Sequence, residues 1–389
     1  MSAKAHAMLV DESHDEHARM DFVATWKAHI TSRISGGNHT VYESRVKLAL
    51  NKALARAPKR EEIHKAMKRE PFWQMTSALK RNAQEMMWDS THEVVTRQQG
   101  DLIQRYRNIA GSNRKKGSLR LNPGLAVPRY ISAVDIHLMP GNYHSDPVAD
   151  DVFAGAIYDR GVHIFGMRPK VGVNEGAGEF TVRFLRERFP GLQPRRILDM
   201  GCSVGHSTGA FVKAFPDAEM HAIDIGAPML RYAHARAESL GYPIHFAQQN
   251  AEATDFPDGH FDLILSYGVT HETSNKGLRA IFRESHRLLA KGGVMMHGGG
   301  LQYHGMDPYE QFVTGWDTHY NAEPFIDALH ELDLPQLIRD AGFQKQNLFE
   351  GTPVRFPERL KLQGTAQGTA RSNDYNLSGA YLFSGAVRE

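Results

Sequence analysis

Three features that would each narrow the class of this protein are missing from its sequence. The 389 residues include one cysteine, Cys202, which excludes a disulfide framework and is typical of a reducing compartment. No apolar run approaches the roughly 18 residues of a membrane span, and the N-terminus lacks the layout of a signal peptide. The formal net charge is only +2, which argues against a general nucleic-acid binder. We therefore expect a cytoplasmic enzyme that contacts neither membrane nor nucleic acid.

A local basic stretch lies between residues 53 and 69. Acidic Glu61 and Glu62 interrupt this stretch, and no aromatic residues interleave as stacking platforms for bases would. A solvated helix face is the favoured interpretation, and a nucleic-acid contact is the alternative.

The most informative motif spans residues 196–209, R-I-L-D-M-G-C-S-V-G-H-S-T-G. An apolar strand runs into a turn in which Gly201 and Gly205 let the backbone approach a ligand closely. Dinucleotide-binding turns read G-x-G-x-x-G after apolar residues, whereas here Asp199 stands two residues before the first glycine. A carboxylate at this position suits a ligand with an ammonium or sulfonium group and repels a pyrophosphate.

Further predicted elements follow along the chain. They are a strand that ends in Asp224, a helix over 228–240 closed by Gly241, a strand over 244–248, a turn and strand over 256–266, and a helix, turn and strand over 287–294. With these residues the chain resembles the class I S-adenosylmethionine-dependent methyltransferases. The resemblance implies an α/β fold with a Rossmann-like seven-stranded sheet, mostly parallel, whose last antiparallel strand falls within 375–384.

The resemblance also implies S-adenosylmethionine as the cofactor and places its contacts. Asp224 would hold the ribose hydroxyls, and residues 250–252 would contact the adenine. The predicted cofactor-binding residues are Asp199, Gly201, Cys202, Ser203, Gly205, Asp224, Ile225, Asn250, Ala251, Glu252, Ser266 and Tyr267.

The residues before the methyltransferase-like part show a different pattern. We identify no family that they resemble. Apolar residues recur at helical spacing from Phe72 to Tyr106, and 22–34 and 41–57 are also predicted to be helical. Irregular segments rich in histidine and aromatics follow, notably 136–144 and 158–165. We expect a flexible tail over 1–20, an all-helical domain over 21–110, a linker or lid over 111–174 and the methyltransferase domain over 175–389.

The acceptor side of the site is less sharply marked. Strand four leads into Ser266–Glu272 and not into the N-P-P-Y-like turn of nucleic-acid amino-methyltransferases, which favours a small-molecule acceptor. His271 is a candidate general base, or alternatively caps the following helix and lines the donor pocket. The candidate catalytic residues are His271 and His304, and the candidate substrate-binding residues are Tyr143, His144, Glu272, Tyr303 and Trp316.

No metal is expected, because the histidines after strand five form no H-x-x-x-H pair. The favoured function is methyl transfer to a small molecule, at oxygen in preference to nitrogen or carbon. Two alternatives are a protein or RNA methyltransferase that docks its substrate on the helical domain, and a donor-binding protein without methyl transfer. A homodimer is a further hypothesis.

Overall fold

A computed structural model describes residues 5–167, 172–299, 302–351 and 382–389. Within these residues a single sheet of eight strands forms the centre of the molecule. The strands are β1 (Ser118–Arg120), β2 (Arg196–Met200), β3 (Glu219–Asp224), β4 (Ile244–Gln248), β5 (Phe261–Tyr267), β6 (Leu289–Gly299), β7 (Leu348–Gly351) and β8 (Leu382–Val387).

The strand order is β1-β4-β3-β2-β5-β6-β8-β7, and β8 is antiparallel to both of its neighbours. The predicted class is therefore confirmed: an α/β sheet, mostly parallel, with an antiparallel last strand. Of the segment expected to hold that strand, residues 375–381 lie outside the described residues, and β8 begins at Leu382.

The seven strands of the predicted sheet are present, and β1 adds an eighth at its edge. This short strand comes from the expected linker and pairs parallel with β4, with Ser118 opposite His245. A Cβ on Gly117 would lie 2.1 Å from the carbonyl oxygen of Ile244, so glycine permits this close approach. By pairing with β4, the linker covers backbone groups that an edge strand would leave open.

Helices cover the sheet and extend over the N-terminal part. They are α1 (His14–His29), α2 (Gly37–Val41), α3 (Lys47–Leu54), α4 (Arg60–Met67), α5 (Pro71–Ala110), α6 (Arg129–Ser132), α7 (Phe153–Phe165), α8 (Gly176–Arg188), α9 (Thr208–Ala214), α10 (Ala227–Leu240), α11 (Asn275–Leu288), α12 (Pro308–Thr314), α13 (Trp316–Tyr320), α14 (Ile326–Glu331) and α15 (Leu334–Asp340). None of these helices combines the length and the apolar character needed to cross a membrane.

The predicted flexible tail is wrong for residues 5–20. Ser13 caps α1: its hydroxyl accepts from the backbone N–H of Glu16, and the Glu16 carboxylate accepts from the N–H of Ser13 at 2.7 Å. Met8 and Met20 are fully buried. A reciprocal cap of this kind and two buried methionines fix a segment whose polar composition suggested a solvated tail.

The N-terminal helices do not have a core of their own throughout. Met20 of α1 and Met87 and Val94 of α5 belong to one buried cluster with Met229 and Tyr232 of α10. Since α10 also packs on β3 and β4, the helical layer is anchored directly to the sheet that carries the site.

Candidate donor and acceptor site

The glycine turn after β2 is fixed by its neighbours in the sheet. The backbone N–H groups of Gly201 and Cys202 both donate to the carbonyl oxygen of Ile223, at 2.8 and 3.0 Å. Gly201 and Gly205 have φ values of 72° and 77°. A Cβ on Gly201 would lie 2.2 Å from Val269, so this glycine is required by the loop after β5 as well as by the turn.

Asp224 joins the end of β3 to the glycine turn. One carboxylate oxygen accepts from the N–H of Ser203 and the other from the N–H of Gly226, both at 2.9 Å. Burial raises the pKa of Asp224, and the two backbone donors oppose that rise. Each oxygen keeps a second lone pair, which is the arrangement required to accept from two ribose hydroxyls.

Asp199 is buried at the carboxyl end of β2, where it accepts a hydrogen bond from the Thr208 hydroxyl at 2.6 Å. Burial is the main cause that raises the pKa of Asp199 to about 7, with Asp224 adding to the rise and Thr208 opposing it. A cation bound beside Asp199 would stabilise the ionised form.

The expected adenine end lies after β4. The side chain of Asn250 accepts from the N–H of Glu252 at 2.9 Å, and the Tyr130 hydroxyl donates to Glu252 at 2.6 Å. Tyr130 belongs to α6, so the linker supports this end of the pocket. Ala251 lies between the two polar residues, and the Ile225 carbonyl accepts from Gln248 at 3.0 Å.

Two predicted cofactor residues have side chains engaged in the interior. Burial raises the pKa of the Cys202 thiol, which packs in the core beside the sheet and is therefore a small neutral filler. The Ser266 hydroxyl lies 2.7 Å from His297 Nδ1, whose Nε2 lies 3.2 Å from Ser285 on α11. The Ser266 hydroxyl is thus engaged by β6, while Tyr267 ends β5 half-buried.

Beyond β5 the structure brings together five side chains, Tyr143, His137, His271, Glu272 and Glu323, which we call the acid–histidine cluster. His137 lies between two carboxylates, with Nε2 3.1 Å from Glu272 and Nδ1 2.8 Å from Glu323. The Tyr143 hydroxyl donates to the same oxygen of Glu272 at 2.8 Å.

His271 occupies the cluster differently from His137. Its Nε2 lies 3.9 Å from Glu323 and 4.0 Å from Glu272, too far for hydrogen bonds but close enough for electrostatic attraction. Its Nδ1 is buried and has no hydrogen-bond partner among the described residues. Neither nitrogen of His271 therefore has a hydrogen-bond partner in the described part of the chain, so this side chain can bind something other than a neighbour.

The charges of the cluster depend on one another. Burial opposes a charge on His137, but Glu323 and Glu272 outweigh it and raise the pKa of His137 well above its ordinary value. Burial likewise opposes a charge on Glu323, and His137 lowers its pKa below the ordinary value. Burial and Glu272 together keep the Tyr143 hydroxyl protonated by raising its pKa.

Backbone conformation at His137 is unusual. His137 and Leu138 have φ values of 56° and 62°, in the left-handed region that side chains rarely adopt. Two consecutive residues of this kind are costly and persist where the surroundings hold them, as they often do in functional sites.

Helix α7 connects the donor half to the cluster. The Tyr158 ring packs beside Tyr143 of the cluster, with centroids 5.9 Å apart, and its pKa is raised first by burial and then by the nearby charges of Glu272 and Asp224. Its neighbour Asp159 lies 2.6 Å from His206 Nε2, which tethers the far end of the turn. The glycine turn is therefore held from the side by a helix of the expected linker.

The remaining predicted acceptor residues lie elsewhere. His304 is exposed on a turn, and Tyr303 donates to Asp327 and packs on His330. The Trp316 indole donates to Ser77 in the cluster of α4, α5 and α12. His144 is half-buried near Asp135 and has no described contact with the cluster. The structure therefore does not bring the candidates His144, Tyr303, Trp316 and His304 together with His271.

Sequence reasoning missed His137, Glu323, Tyr158 and Tyr130. All four lie in segments marked by their histidine and aromatic content, but no spacing within those segments singles them out. The side chains of His137, His271 and Glu323 also have the residue types and the mutual distances, within 4.8 Å, of a metal site. In this structure the imidazole of His137 fills the space between the carboxylates.

The order β4-β3-β2-β5-β6-β8-β7, the glycine turn after β2 and the acid that ends β3 define a class I methyltransferase core. A family model described as a methyltransferase domain matches residues 197–293. The chain therefore carries an S-adenosylmethionine-dependent methyltransferase core, as its motifs predicted.

Individual relatives match parts of the chain. Malonyl-[acyl-carrier protein] O-methyltransferase of Legionella pneumophila is 27% identical over 153 residues, which are 38% of this chain and 51% of the relative. Demethylmenaquinone methyltransferase of Thermus thermophilus is 33% identical over 104 residues, 26% of this chain and 46% of the relative. The structure of the Bacillus subtilis YcgJ protein covers 54% of this chain and 98% of its own, with 21% identity and a TM-score of 0.39. The chain thus spans about half the length of the two curated relatives.

Proposed function

We propose that this protein transfers the methyl group of S-adenosylmethionine to a small-molecule acceptor with a proton-bearing nucleophile, oxygen being favoured. The observation that carries the proposal is the free, buried Nδ1 of His271 in a cluster that adjoins the donor turn through Tyr158. The relatives named above include an O-methyltransferase and a quinone methyltransferase.

The donor would lie along the carboxyl ends of β2 to β4. Asp224 would accept from the ribose hydroxyls, residues 250–252 would meet the adenine, and Asp199 would face the positively charged part of the donor. Methyl transfer is an in-line displacement: a lone pair of the acceptor attacks the methyl carbon, and the electrons of the carbon–sulfur bond pass to sulfur. The products are the methylated acceptor and S-adenosylhomocysteine.

His271 would take the proton that the acceptor loses. Its free Nδ1 has a lone pair for this purpose, and the carboxylates of Glu272 and Glu323 near Nε2 would stabilise the resulting imidazolium. His137 would hold both carboxylates in place as a positioning residue. Tyr143 would orient Glu272.

A small acceptor is favoured by burial. Glu323 and His271 are only 4% and 8% exposed. Tyr143 of the linker donates a hydrogen bond to Glu272 beside them. Water exclusion of this kind assists displacement at a sulfonium carbon and leaves little access for a macromolecular surface.

The test is to incubate the protein with donor carrying an isotopically labelled methyl group and a metabolite extract, followed by mass spectrometry. Label on a low-molecular-weight product supports the proposal. Label found only on protein or RNA would overturn the small-molecule acceptor, and donor binding without S-adenosylhomocysteine release would overturn methyl transfer.

The role of His271 is tested with His271→Ala beside the exposed control His304→Ala. We expect His271→Ala to lower kcat by about 10² to 10⁴-fold with donor affinity intact, the usual contribution of a general base. His304→Ala should keep the wild-type kcat. Equal kcat values for the two variants would contradict the assignment of His271.

A further inference from the structure

An open cleft of about 470 Å³ lies away from the donor turn, between α4 and the helices α12 to α14. One wall carries Arg60, His64, Lys65, Lys68 and Arg69, and the facing wall includes Phe312 and His319. The volume lies within the range of small-molecule sites in proteins. The cationic wall is the basic stretch that the sequence suggested to be a solvated helix face.

Cations next to this wall are already neutralised. Arg56 pairs with Glu62 at 2.6 Å, and Arg45 pairs with Glu70. In the part of the chain that the structure describes, Lys65, Lys68 and Arg69 have no carboxylate within ion-pair distance. Three unpaired cations of this region therefore lie at the cleft.

Acidic side chains of the cleft offset part of that charge, and they do so at Arg60. Asp327 accepts from the Tyr303 hydroxyl at 2.5 Å, and Glu61 lies 3.3 Å from Arg60. Both carboxylates lie next to Arg60, which leaves Lys65, Lys68 and Arg69 without a paired carboxylate among the described residues.

Arg60 adds a buried donor to the lining. Its guanidinium stacks over the Tyr303 ring at 4.7 Å and pairs with Glu331. Its Nη1 is buried without a hydrogen-bond partner among the described residues, 4.0 Å from Asp327. An unsatisfied buried donor is costly, and an incoming oxygen acceptor would relieve that cost.

Rings provide an apolar surface beside these donors. The imidazoles of His64 and His319 have centroids 4.4 Å apart, and the Phe312 ring lies 5.7 Å from His64. Flat rings next to cations suit a ligand with an anionic group on an organic body.

We propose that the cleft between α4 and α12 to α14 binds a phosphate-bearing small molecule, with Arg60, Lys65, Lys68 and Arg69 on the phosphate and the rings on the organic part. Arginine and lysine are the usual partners of phosphate oxygens. The proposal concerns binding alone and does not rest on methyl transfer.

Calorimetry on the full-length chain tests it with phenyl phosphate, and with phenol as the uncharged match. We expect phenyl phosphate to bind and phenol to bind at least about tenfold more weakly. The triple variant Lys65→Ala/Lys68→Ala/Arg69→Ala should lose about tenfold or more in phenyl phosphate affinity. The control Arg114→Ala/Lys115→Ala/Lys116→Ala removes the same charge from the exposed linker and should stay within about twofold of wild type.

Three outcomes would overturn the site. Equal losses in the two triple variants would mean general electrostatic attraction, and equal affinity for phenol would remove the anion from the proposal. Displacement of phenyl phosphate by S-adenosylmethionine would place the binding in the donor pocket. An unchanged thermal melting curve and donor affinity in the cleft variant establish that its loss is not unfolding.

Discussion

The predicted donor contacts all lie between Asp199 and Tyr267, whereas the acid–histidine cluster draws on three separate segments between His137 and Glu323. On the donor side, parallel strands align their carboxyl ends, so residues spaced by one strand and one helix meet at the sheet edge. On the acceptor side, a linker turn, the loop after β5 and the loop after α13 meet only because helices hold them there. The first kind of site follows from a repeating pattern and the second from packing.

The largest effect is expected from removing His137, the residue that holds the acid–histidine cluster together. His137→Ala leaves the buried Glu323 and the half-buried Glu272 without their shared cation, and we expect it to lower the free energy of unfolding by about 3–5 kcal/mol. Urea titration of both proteins at pH 6 measures the loss. His144→Ala, on the same segment but outside the cluster, should cost less than about 1 kcal/mol.

The loss of stability in His137→Ala depends on pH in a defined direction. Because the pKa of His137 is raised in the folded protein, its stabilisation is complete below the ordinary histidine pKa of about 6.5. It is lost as the pH rises through the folded-state pKa. The difference between wild type and His137→Ala should therefore be smaller at pH 9 than at pH 6, and a difference that grows with pH would contradict the ion pairing.

The donor side is tested next by Asp224→Ala. Loss of a charged hydrogen-bond acceptor should weaken S-adenosylmethionine binding by about 1.5–3 kcal/mol, roughly 10- to 150-fold. Calorimetry measures the affinity, and the exposed Asp217→Ala serves as a control of equal charge change. Unchanged affinity in Asp224→Ala would remove the ribose contact from Asp224.

The smallest predicted effect tests the role of Asp199. With its pKa raised to about 7, this carboxyl is mostly protonated at pH 6, and a cationic donor favours the ionised form. Donor affinity should therefore rise about tenfold from pH 6 to pH 8, with one proton released on binding at the lower pH. Asp199→Asn should flatten this dependence, and a wild-type affinity that is independent of pH would contradict the assignment.

The sequence predicted the donor side of the site more completely than the acceptor side. Gly201, Ser203 and Asp224 lie where the motif placed them, and the hydrogen bond from Ser203 to Asp224 joins two of them directly. His271 and Glu272 were found because they follow the fourth core strand, a position that the resemblance marks. His137 and Glu323 were missed, because a residue in an irregular segment has no period or spacing that indicates its partner.

By itself the sequence determined the methyltransferase core, its mostly parallel sheet and the donor turn, since apolar periodicity, glycines and terminal acids act over short stretches of chain. Only the tertiary structure decided that the N-terminal helices share a core with α10, that β1 extends the sheet, and that His137 lies between two carboxylates. These depend on long-range packing and on burial, which sets whether a carboxylate or an imidazole is charged, and neither quantity is encoded at a single position.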